Sequence, residues 1–231
     1  EYGAVVEVGA PQVSYRETIS QRADFNYTHK KQTGGSGQYG RVAGYLEPYA
    51  EGEYEFVDSI VGGVIPREFI GSCDKGFKKS IEKGSLCGAP ITGVRCVIND
   101  GAYHAVDSSD NAFKVAGSLG FKAAALKAKP VILEPIMNVD VLVPGDFMGD
   151  VMGDLSARRG KILGMEQEDN QQKIKAQVPV AELHRYSTSL RSMTQGRGTY
   201  RQAFSHYEEV PHDVAQKLIA AAEATRSGEE E

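Results

Sequence analysis

Hydrophobic and polar residues alternate along two stretches near the start of the chain. The alternation covers residues 13–27 and again residues 41–46, and a spacing of two is typical of a half-buried strand. Between them lies the sequence QTGGSGQYG, residues 32–40, which is rich in turn-forming residues. The pattern predicts a long hairpin with an extended tip. A further strand-like stretch, residues 2–8, precedes Pro11.

A spacing of three and four then predicts two helices. The first begins at Pro66 and ends near Gly84, and the second follows a strand over residues 93–99 and ends before Pro130. Asp107 and Ser108 are the expected caps of the second helix. The apolar stripe of the first helix is Phe69, Ile70, Cys73, Phe77 and Ile81, and that of the second is Phe113, Ala116, Leu119, Ala123 and Leu126. These elements predict an α+β unit over residues 11–133.

From residue 134 the order of elements becomes regular. The predicted series is strand 136–143, helix 147–158, strand 162–168, strand 173–178, helix 181–190 and strand 199–207. This βαββαβ order predicts a ferredoxin-like, split βαβ domain over residues 134–210. Residues 211–231 are then expected to form a helix over 213–224 and an acidic tail. Arg158 and Arg159 are interpreted as charges favouring a helix C-terminus.

Composition narrows the class of protein. With 231 residues, of which 41% are hydrophobic, the chain is long enough for two small domains. A net charge of −5 argues against a protein that coats nucleic acid with a broad basic surface, although residues 22–41 carry a local charge of +3. No apolar run of membrane-spanning length and no signal peptide is present, so we expect no membrane partner and a cytoplasmic location. The three cysteines are expected to be reduced.

The motifs of common catalytic sites are absent from the sequence. It contains no GxxxxGK[ST] loop, no GxSxG and no HExxH, and its five histidines do not cluster. The glycines at the hairpin tip lie between strands and do not open a helix, so they offer no phosphate cradle. The sequence therefore predicts no catalytic residue, no metal site and no cofactor within this stretch.

Polar residues on loops predict a recognition surface. The tip offers amides, a hydroxyl and an aromatic ring on a backbone that can approach a sugar-phosphate chain closely. Its residues are Gln32, Thr33, Gly34, Gly35, Ser36, Gly37, Gln38 and Tyr39. The sequence LRSMTQGRG places Arg191, Ser192 and Gln195 in a predicted loop. The residues alone leave open an ordinary hairpin tip and, for His104, an ordinary surface histidine.

Several ordered motifs resemble the last two domains of the bacterial elongation factor G family, a family of translational GTPases. They are GAPQVSYRETI, QTGGSGQYG, IVGGVIPREFI, YHAVDSSDNAFKVAGS, LEPIMNVDV, MGDVMGDLSARRGKILGM and LRSMTQGRGTYRQAFSHYEEVP. The resemblance covers nearly the whole chain and implies two α+β domains, a ribosomal-protein-like βαβ fold followed by the ferredoxin-like domain. Residues 1–10 resemble the end of the family's third domain, which implies a fragment boundary there.

The resemblance also implies a function. In the family the fourth domain reaches the decoding centre of the small ribosomal subunit during translocation and contacts the tRNA–mRNA duplex. Residues 32–40 and His104 match that tip, while Arg191, Ser192 and Gln195 match the part of the fifth domain that meets the sarcin–ricin loop near the stalk base. GTP and Mg²⁺ would belong to the missing N-terminal domain. We expect a monomer.

One departure from the family pattern concerns the tip. The family usually carries arginine where this chain has Ser36, which removes one potential phosphate contact. Lys30 and Lys31 are candidates to compensate. The departure keeps open a paralogue specialised for ribosome recycling or rescue. A stand-alone RNA-binding module and a small-molecule enzyme on the same fold are the alternatives from other classes.

Overall fold

The computed structural model describes residues 12–32 and 34–229, which fall into two compact units. The first unit comprises Tyr15–Leu133 together with the chain from Val210 onward, and the second comprises Glu134–Glu209 with residues 12–14. The strand predicted for residues 2–8 lies outside the described residues.

Most elements correspond to predicted ones, but the stretch predicted as one arm of the hairpin over residues 13–27 contains two strands separated at residues 19–22, and the strand Tyr54–Asp58 was not predicted. In chain order they are β1 (Arg16–Thr18), β2 (Ala23–Lys31), β3 (Gln38–Pro48), β4 (Tyr54–Asp58), α1 (Arg67–Ile81), β5 (Val94–Ala102), α2 (Asp110–Lys127), β6 (Val131–Val143), α3 (Met148–Ala157), β7 (Lys161–Glu168), β8 (Gln171–Pro179), α4 (Tyr186–Met193), β9 (Thr199–Glu209) and α5 (His212–Glu229). Short 3-10 segments at Gly145–Phe147 and Val180–Leu183 precede α3 and α4.

Four strands of the first unit form a sheet in the order β2-β3-β5-β4. β2, β3 and β5 are antiparallel neighbours, whereas β4 runs parallel to β5. A parallel pair needs a crossover connection, and α1 supplies it. The short strand β1 pairs with the first three residues of β6.

The helices α1 and α2 lie parallel to each other. Ser72 donates a hydrogen bond to Asp110 at 2.7 Å, and Ser80 donates to the carbonyl of Ser118 at 2.7 Å, so both contacts join residues 38 positions apart. This constant offset means that the two helices run in the same direction and in register. A Cβ on Gly76 would lie 2.2 Å from a backbone carbonyl of α2, so the close approach of the helices requires glycine at this position.

The buried face of α2 differs from the predicted stripe. Phe113 and Ala116 are buried as predicted, but Leu119 and Leu126 are 39% and 55% exposed and Ala123 is exposed. The buried face instead includes Gly117, Gly120, Phe121, Ala124 and Ala125. Because the backbone of α2 packs closely against α1 and the sheet, its smallest residues line the contact and its leucines face outward.

The cap of α2 also differs from the prediction. Ser109 is the capping residue, and its hydroxyl accepts a hydrogen bond from the backbone N–H of Ala112 at 3.1 Å. Asp107 and Ser108 lie before the helix and make other contacts. The sequence Asp-Ser-Ser offers three good capping residues in a row, and only one of them can occupy the capping position.

The strands of the second unit form a sheet in the order β9-β6-β8-β7. Counted within the unit, this is the order fourth, first, third, second, which is the ferredoxin-like arrangement of a βαββαβ chain. Val139, Val141 and Val143 alternate along β6 and join the core beneath α3 and α4. The predicted fold class is confirmed.

The single helix predicted over residues 181–190 is two separate segments. Arg185, between the 3-10 segment and α4, has a φ of +56° and interrupts the helix. Arg158, directly after α3, donates a hydrogen bond to the carbonyl of Glu182 at 2.6 Å and another to the hydroxyl of Ser189 at 3.1 Å. This side chain thus binds a carbonyl that a continuous helix would use for its own hydrogen bonds.

The last helix, α5, groups with the first unit. It is longer than predicted, and its predicted apolar positions Val214, Leu218 and Ala222 are half-buried. Across residues 12–32 and 34–229, each helix is too short or too polar to cross a membrane.

Candidate functional site

The hairpin of β2 and β3 carries the tip that the sequence singled out. Its pairing continues as far as Lys31 opposite Gln38, which leaves residues 32–37 as the loop. Gln32 and the loop residues Gly34, Gly35 and Ser36 are exposed, whereas Gln38 and Tyr39 lie in β3 and are half-buried. Thr33 lies outside the described residues. The exposed part of the tip is therefore shorter than the nine residues that were predicted.

One of the two predicted tip amides is already engaged within the hairpin. The side-chain oxygen of Gln38 lies 2.8 Å from Nε2 of His29. Because an amide oxygen can only accept, this contact places a proton on Nε2 of His29. Gln32 is thus the tip amide that remains exposed to a partner.

The loop that contains His104 lies against the start of β3. The backbone N–H of Tyr39 donates to the carbonyl of Asp107 at 2.9 Å, and the hydroxyl of Ser108 donates to the carbonyl of Tyr39 at 2.8 Å. The rings of Tyr39 and His104 lie 6.5 Å apart between centroids. The structure therefore brings the hairpin tip and His104 together, as the family resemblance implied.

The imidazole of His104 is oriented by its own loop. The backbone N–H groups of Val106 and Asp107 each lie 3.2 Å from Nδ1, so Nδ1 acts as an acceptor and the proton of the neutral ring is on Nε2. The side chain is 55% exposed. His104 therefore presents an N–H donor to a partner from a fixed ring.

Ser108 joins the two loops of the candidate site, a positioning contact that sequence reasoning missed. Its hydroxyl accepts from the backbone N–H of His104 at 2.9 Å and donates to the carbonyl of Tyr39. One side chain thus links the histidine loop to the hairpin. The signal was the first serine of the Asp-Ser-Ser run, since a good capping residue that does not cap is free to bond elsewhere.

The glycines of the tip differ in what surrounds them. A Cβ on Gly37 would lie 3.1 Å from a carboxylate oxygen of Asp107 and 3.2 Å from the carbonyl of Lys31, so glycine lets the two loops approach each other. A Cβ on Gly34 or Gly35 would meet nothing within 4 Å. Packing within the chain thus accounts for the glycine at position 37 and not for the glycines at positions 34 and 35.

Two lysines carry the unpaired positive charge of residues 22–41 in the described structure. Arg22 lies 3.6 Å from a carboxylate oxygen of Asp24, and Arg41 lies 3.2 Å from one of Asp100. A backbone N–H of Gly101 and the guanidinium of Arg41 hold the pKa of Asp100 below its usual range. Lys30 and Lys31 are exposed and have no carboxylate partner within the described part of the chain.

The second group of candidate residues lies at the end of α4. Arg191 and Ser192 belong to the last turn of this helix, so the prediction that they lie in a loop was wrong, whereas Gln195 does follow the helix. The helix ends because Gln195 has a φ of +53° and the N–H of Gly196 bonds back to the carbonyl of Arg191 at 2.8 Å. Side chains of Arg191, Ser192 and Gln195 are exposed.

A buried threonine holds this helix end in place. The hydroxyl of Thr194 donates to the carbonyl of Leu190 at 2.6 Å and accepts from the N–H of Gly198 at 2.8 Å. Thr194 is fully buried. The polar residues on either side of it are therefore directed outward by a fixed backbone.

The paired arginines after α3 are structural, as the sequence interpretation favoured. Arg159 donates two parallel hydrogen bonds to the buried carboxylate of Glu134, at 2.6 and 3.1 Å, and a third to Glu182. These bonds raise the pKa of Arg159. Because the nitrogens of both guanidinium groups are already bonded within the protein, neither arginine is a candidate for RNA contact.

The open face of the second sheet does not resemble a base-stacking platform. The outward residues of its two central strands are Asn138, Asp140, Leu142, Lys173, Lys175 and Gln177, none of them aromatic. The two lysines pair with Glu168 at 3.7 Å and Glu166 at 3.0 Å. RNA-recognition motifs stack bases on aromatic residues of the sheet, so this face argues against a stand-alone module of that type.

Fold and site together define a two-unit α+β protein whose candidate recognition residues lie on an exposed hairpin tip and an exposed helix end. Among the residues that the structure describes, no group of three His, Cys, Asp or Glu side chains is arranged to hold a metal ion. The family model of elongation factor G, domain IV, matches residues 11–129, and that of the elongation factor G C-terminus matches residues 131–218. The chain belongs to the elongation factor G family.

Individual relatives agree with the family models. The chain is 62% identical to elongation factor G 1 of Desulfotalea psychrophila over 226 residues and 54% identical to elongation factor G of Aquifex pyrophilus over 228 residues, in each case across 98% of the chain. It spans 32% and 33% of those relatives, about a third of their length. A crystal structure of a Thermus thermophilus protein, 46% identical, superposes with a TM-score of 0.85 over 94% of this chain and 32% of that one.

Proposed function

We propose that this chain is the ribosome-binding C-terminal part of a translational GTPase that promotes GTP-dependent translocation of tRNA and mRNA. The observation that carries the proposal is the docking of the His104 loop on the hairpin tip, in a chain of the elongation factor G family. Two exposed groups at this end, the amide of Gln32 and the N–H of His104, offer hydrogen bonds to RNA. The setting is the cytoplasm, and the chain acts as a monomer with no membrane partner.

The tip performs its task by differential binding. It favours the ribosomal state in which the tRNA–mRNA module has advanced, because its hydrogen bonds form there and not in the earlier state. A tip residue that contributes about 1.4 kcal/mol to this difference shifts the equilibrium about tenfold. A fixed histidine ring supports this role, since a group that is already oriented loses little entropy on binding.

The two units have different ribosomal partners in this proposal. The tip, including Ser36 and the lysines beside it, faces the decoding centre of the small subunit. Arg191, Ser192 and Gln195 contact the sarcin–ricin loop of the large subunit near the stalk base, where exposed donors on a fixed helix end suit a backbone contact. GTP and Mg²⁺ bind the GTPase domain that this chain does not include.

The test is single-round translocation with the full-length factor that carries this chain. Gln32→Ala and His104→Ala should each slow translocation about tenfold while GTP hydrolysis stays unchanged, because each removes one tip contact. Gln216→Ala, an exposed amide on α5, is the matched control and should have no effect. Unchanged translocation in both tip variants would refute the assignment of the tip.

The exposed Ser36 favours a second candidate function. A tip without the arginine typical of the family suits a paralogue specialised for ribosome recycling or rescue. In a ribosome-binding titration at several salt concentrations, Ser36→Arg should raise the log–log slope of affinity against salt by about 0.7. A translocation rate that rises with this change, alongside strong recycling activity of the unmodified factor, would support the paralogue.

A further inference from the structure

The outer surface of α1 and α2, two helices of the first unit, carries a cluster of positive charge. We call it the α1–α2 surface: the solvent-facing side of residues 67–83 and 110–129. These two ranges contain nine basic and four acidic residues, a net charge of +5 in a chain whose net charge is −5. The charge of the protein is therefore strongly segregated, although its composition is acidic.

The opposite, open face of the first sheet shows a different arrangement. Its three arginines each have an acidic partner: Arg22 lies beside Asp24, Arg41 beside Asp100, and Arg95 beside both Glu47 and Glu55 at 3.0 and 3.1 Å. An arginine that is already paired offers little to an external anion. The arginines of this face are therefore neutralised within the protein, and Lys30 of β2 is a cation, unpaired among the described residues, that remains on it.

The lysines of the α1–α2 surface lack such partners. Lys75, Lys79, Lys114 and Lys122 are exposed, and within the described residues none lies within 4 Å of a carboxylate. Only Lys78 of α1 is paired, with Asp74 at 3.0 Å. A carboxylate three or four residues away can neutralise a helical lysine. These four lysines have no such partner among the described residues, so their charge is available to an anionic partner outside the chain.

The helix geometry arranges these lysines in two rows. Lys75 and Lys79 are one turn apart on α1, about 6 Å along the axis, and Lys114 and Lys122 are two turns apart on α2, about 12 Å. Because the helices run parallel and in register, Lys75 and Lys114 line the same groove, whose other lining residues are Ser72, Asp110 and Asn111. Two parallel rows of cations match the regularly spaced charges of a nucleic-acid backbone.

We propose that the α1–α2 surface binds the sugar-phosphate backbone of RNA, as a contact additional to the hairpin tip. This inference rests on the proposed function, in which ribosomal RNA is the partner of the chain. Lysine ammonium groups bind phosphate as point charges and read no sequence, so the surface anchors and orients the protein. Recognition of a particular ribosomal state stays with the tip.

The experiment measures binding of this chain to a fluorescent RNA duplex of about 20 base pairs by anisotropy between about 50 and 200 mM salt. Replacement of Lys75 and Lys114 by Gln should lower the log–log salt slope by about 1.5, and replacement of all four lysines should lower it by about 3. Affinity at the lowest salt should fall about tenfold for the double variant. The control replaces Lys173 and Lys175 by Gln, which removes the same charge from paired lysines and should leave the slope unchanged.

Three outcomes would overturn the inference. One is a slope in the four-lysine variant equal to that of the unmodified chain, with folding verified by circular dichroism. The second is an equal loss in the control variant, which would mean that total charge matters and the surface does not. The third is binding of polyglutamate as tight as binding of the RNA duplex, which would identify the partner as an acidic protein.

Ribosome pelleting of the same variants separates this inference from the proposed function. Suppose that the lysine variants pellet normally and the Gln32→Ala and His104→Ala variants do not. This result would refute RNA binding by the α1–α2 surface and would leave the proposed function intact. A chain that binds the duplex through these lysines and never pellets with ribosomes would support the surface and refute the proposed function.

Discussion

The two groups of candidate recognition residues are held in place in opposite ways. At the hairpin tip, Tyr39 and Ser108 meet although they are 69 positions apart in the chain. At the end of α4, Arg191 and Gln195 are four positions apart and one helix terminus orients them both. The first group exists only when the unit has folded, whereas the second is organised by a local turn.

This difference has consequences for both stability and function. The helix end relies on few bonds, and the two made by the hydroxyl of Thr194 are buried, so their loss lowers the free energy of unfolding. The tip relies on exposed or half-buried bonds between loops, so its loss changes the position of His104 more than it changes overall stability. Mutations at each place can therefore distinguish the locally organised helix end from the tip, which depends on contacts between distant loops.

The largest expected effect on stability is at the helix end. Thr194→Val keeps the shape of the side chain but leaves the buried N–H of Gly198 without an acceptor. We expect the free energy of unfolding to fall by about 2–3 kcal/mol, measured by urea denaturation. Thr199→Val, at an exposed position of β9, is the control and should change it by less than about 0.5 kcal/mol. Equal effects would mean that the hydroxyl of Thr194 contributes nothing specific.

A smaller loss of stability is expected when the tip is disconnected from the histidine loop. Ser108→Ala removes both bonds of the hydroxyl and should lower the free energy of unfolding by about 1–2 kcal/mol. Amide exchange at Tyr39 and His104 should accelerate. Ser109→Ala removes the cap of α2 at a similar cost, about 1 kcal/mol, and should leave exchange at those two amides unchanged. If both variants accelerate it equally, Ser108 does not link the loops.

Alanine substitutions at two glycines of the tip should distinguish packing within the chain from contact with a partner. Gly37→Ala places a methyl group 3.1 Å from the carboxylate of Asp107 and should lower the free energy of unfolding by about 1 kcal/mol. Gly35→Ala meets nothing within 4 Å and should change it by less than about 0.5 kcal/mol. Translocation should slow in both variants. A normal rate with Gly35→Ala would show that no partner approaches that backbone.

The smallest expected effect is a gain in stability. Gln195 has a left-handed backbone conformation, which glycine adopts without strain, so Gln195→Gly should raise the free energy of unfolding by about 0.5–1 kcal/mol. Ribosome binding should nevertheless weaken, because the exposed amide is lost. Unchanged binding with raised stability would remove Gln195 from the candidate contacts while leaving the helix end intact.

Much of the fold could be predicted from the sequence, because periodicity reports the burial of regular elements. The alternation in β2 and β3 and the βαββαβ order of the second unit correspond to the observed strands and helices. Errors fall where a distant side chain decides the local structure. Arg185, in a left-handed conformation, interrupts the helix predicted over residues 181–190, and Arg158 binds the carbonyl of Glu182 beside this break. The close contact with α1 turns the small residues of α2 inward in place of Leu119 and Leu126.

The residues of the candidate site were likewise predicted in part, and their contacts were not. Residue types singled out Gln32 and Gln195, because exposed donors next to glycine are typical of recognition loops, whereas His104 was singled out by the family resemblance. They did not reveal that Gln38 is occupied by His29, or that Arg191 and Ser192 lie within a helix. Those facts depend on which side chains meet, and spacing along the chain does not encode them.

By itself, the sequence determined most of the order of elements, the family and the residues available for recognition, since each depends on local pattern or on motifs in series. Only the tertiary structure decided which of those residues are free. It pairs the arginines of the open sheet face, leaves the lysines of the α1–α2 surface unpaired, and joins His104 to the tip through Ser108. Charge pairing and loop contacts connect residues far apart in the chain, so their outcome depends on the folded backbone that brings them within a few ångströms.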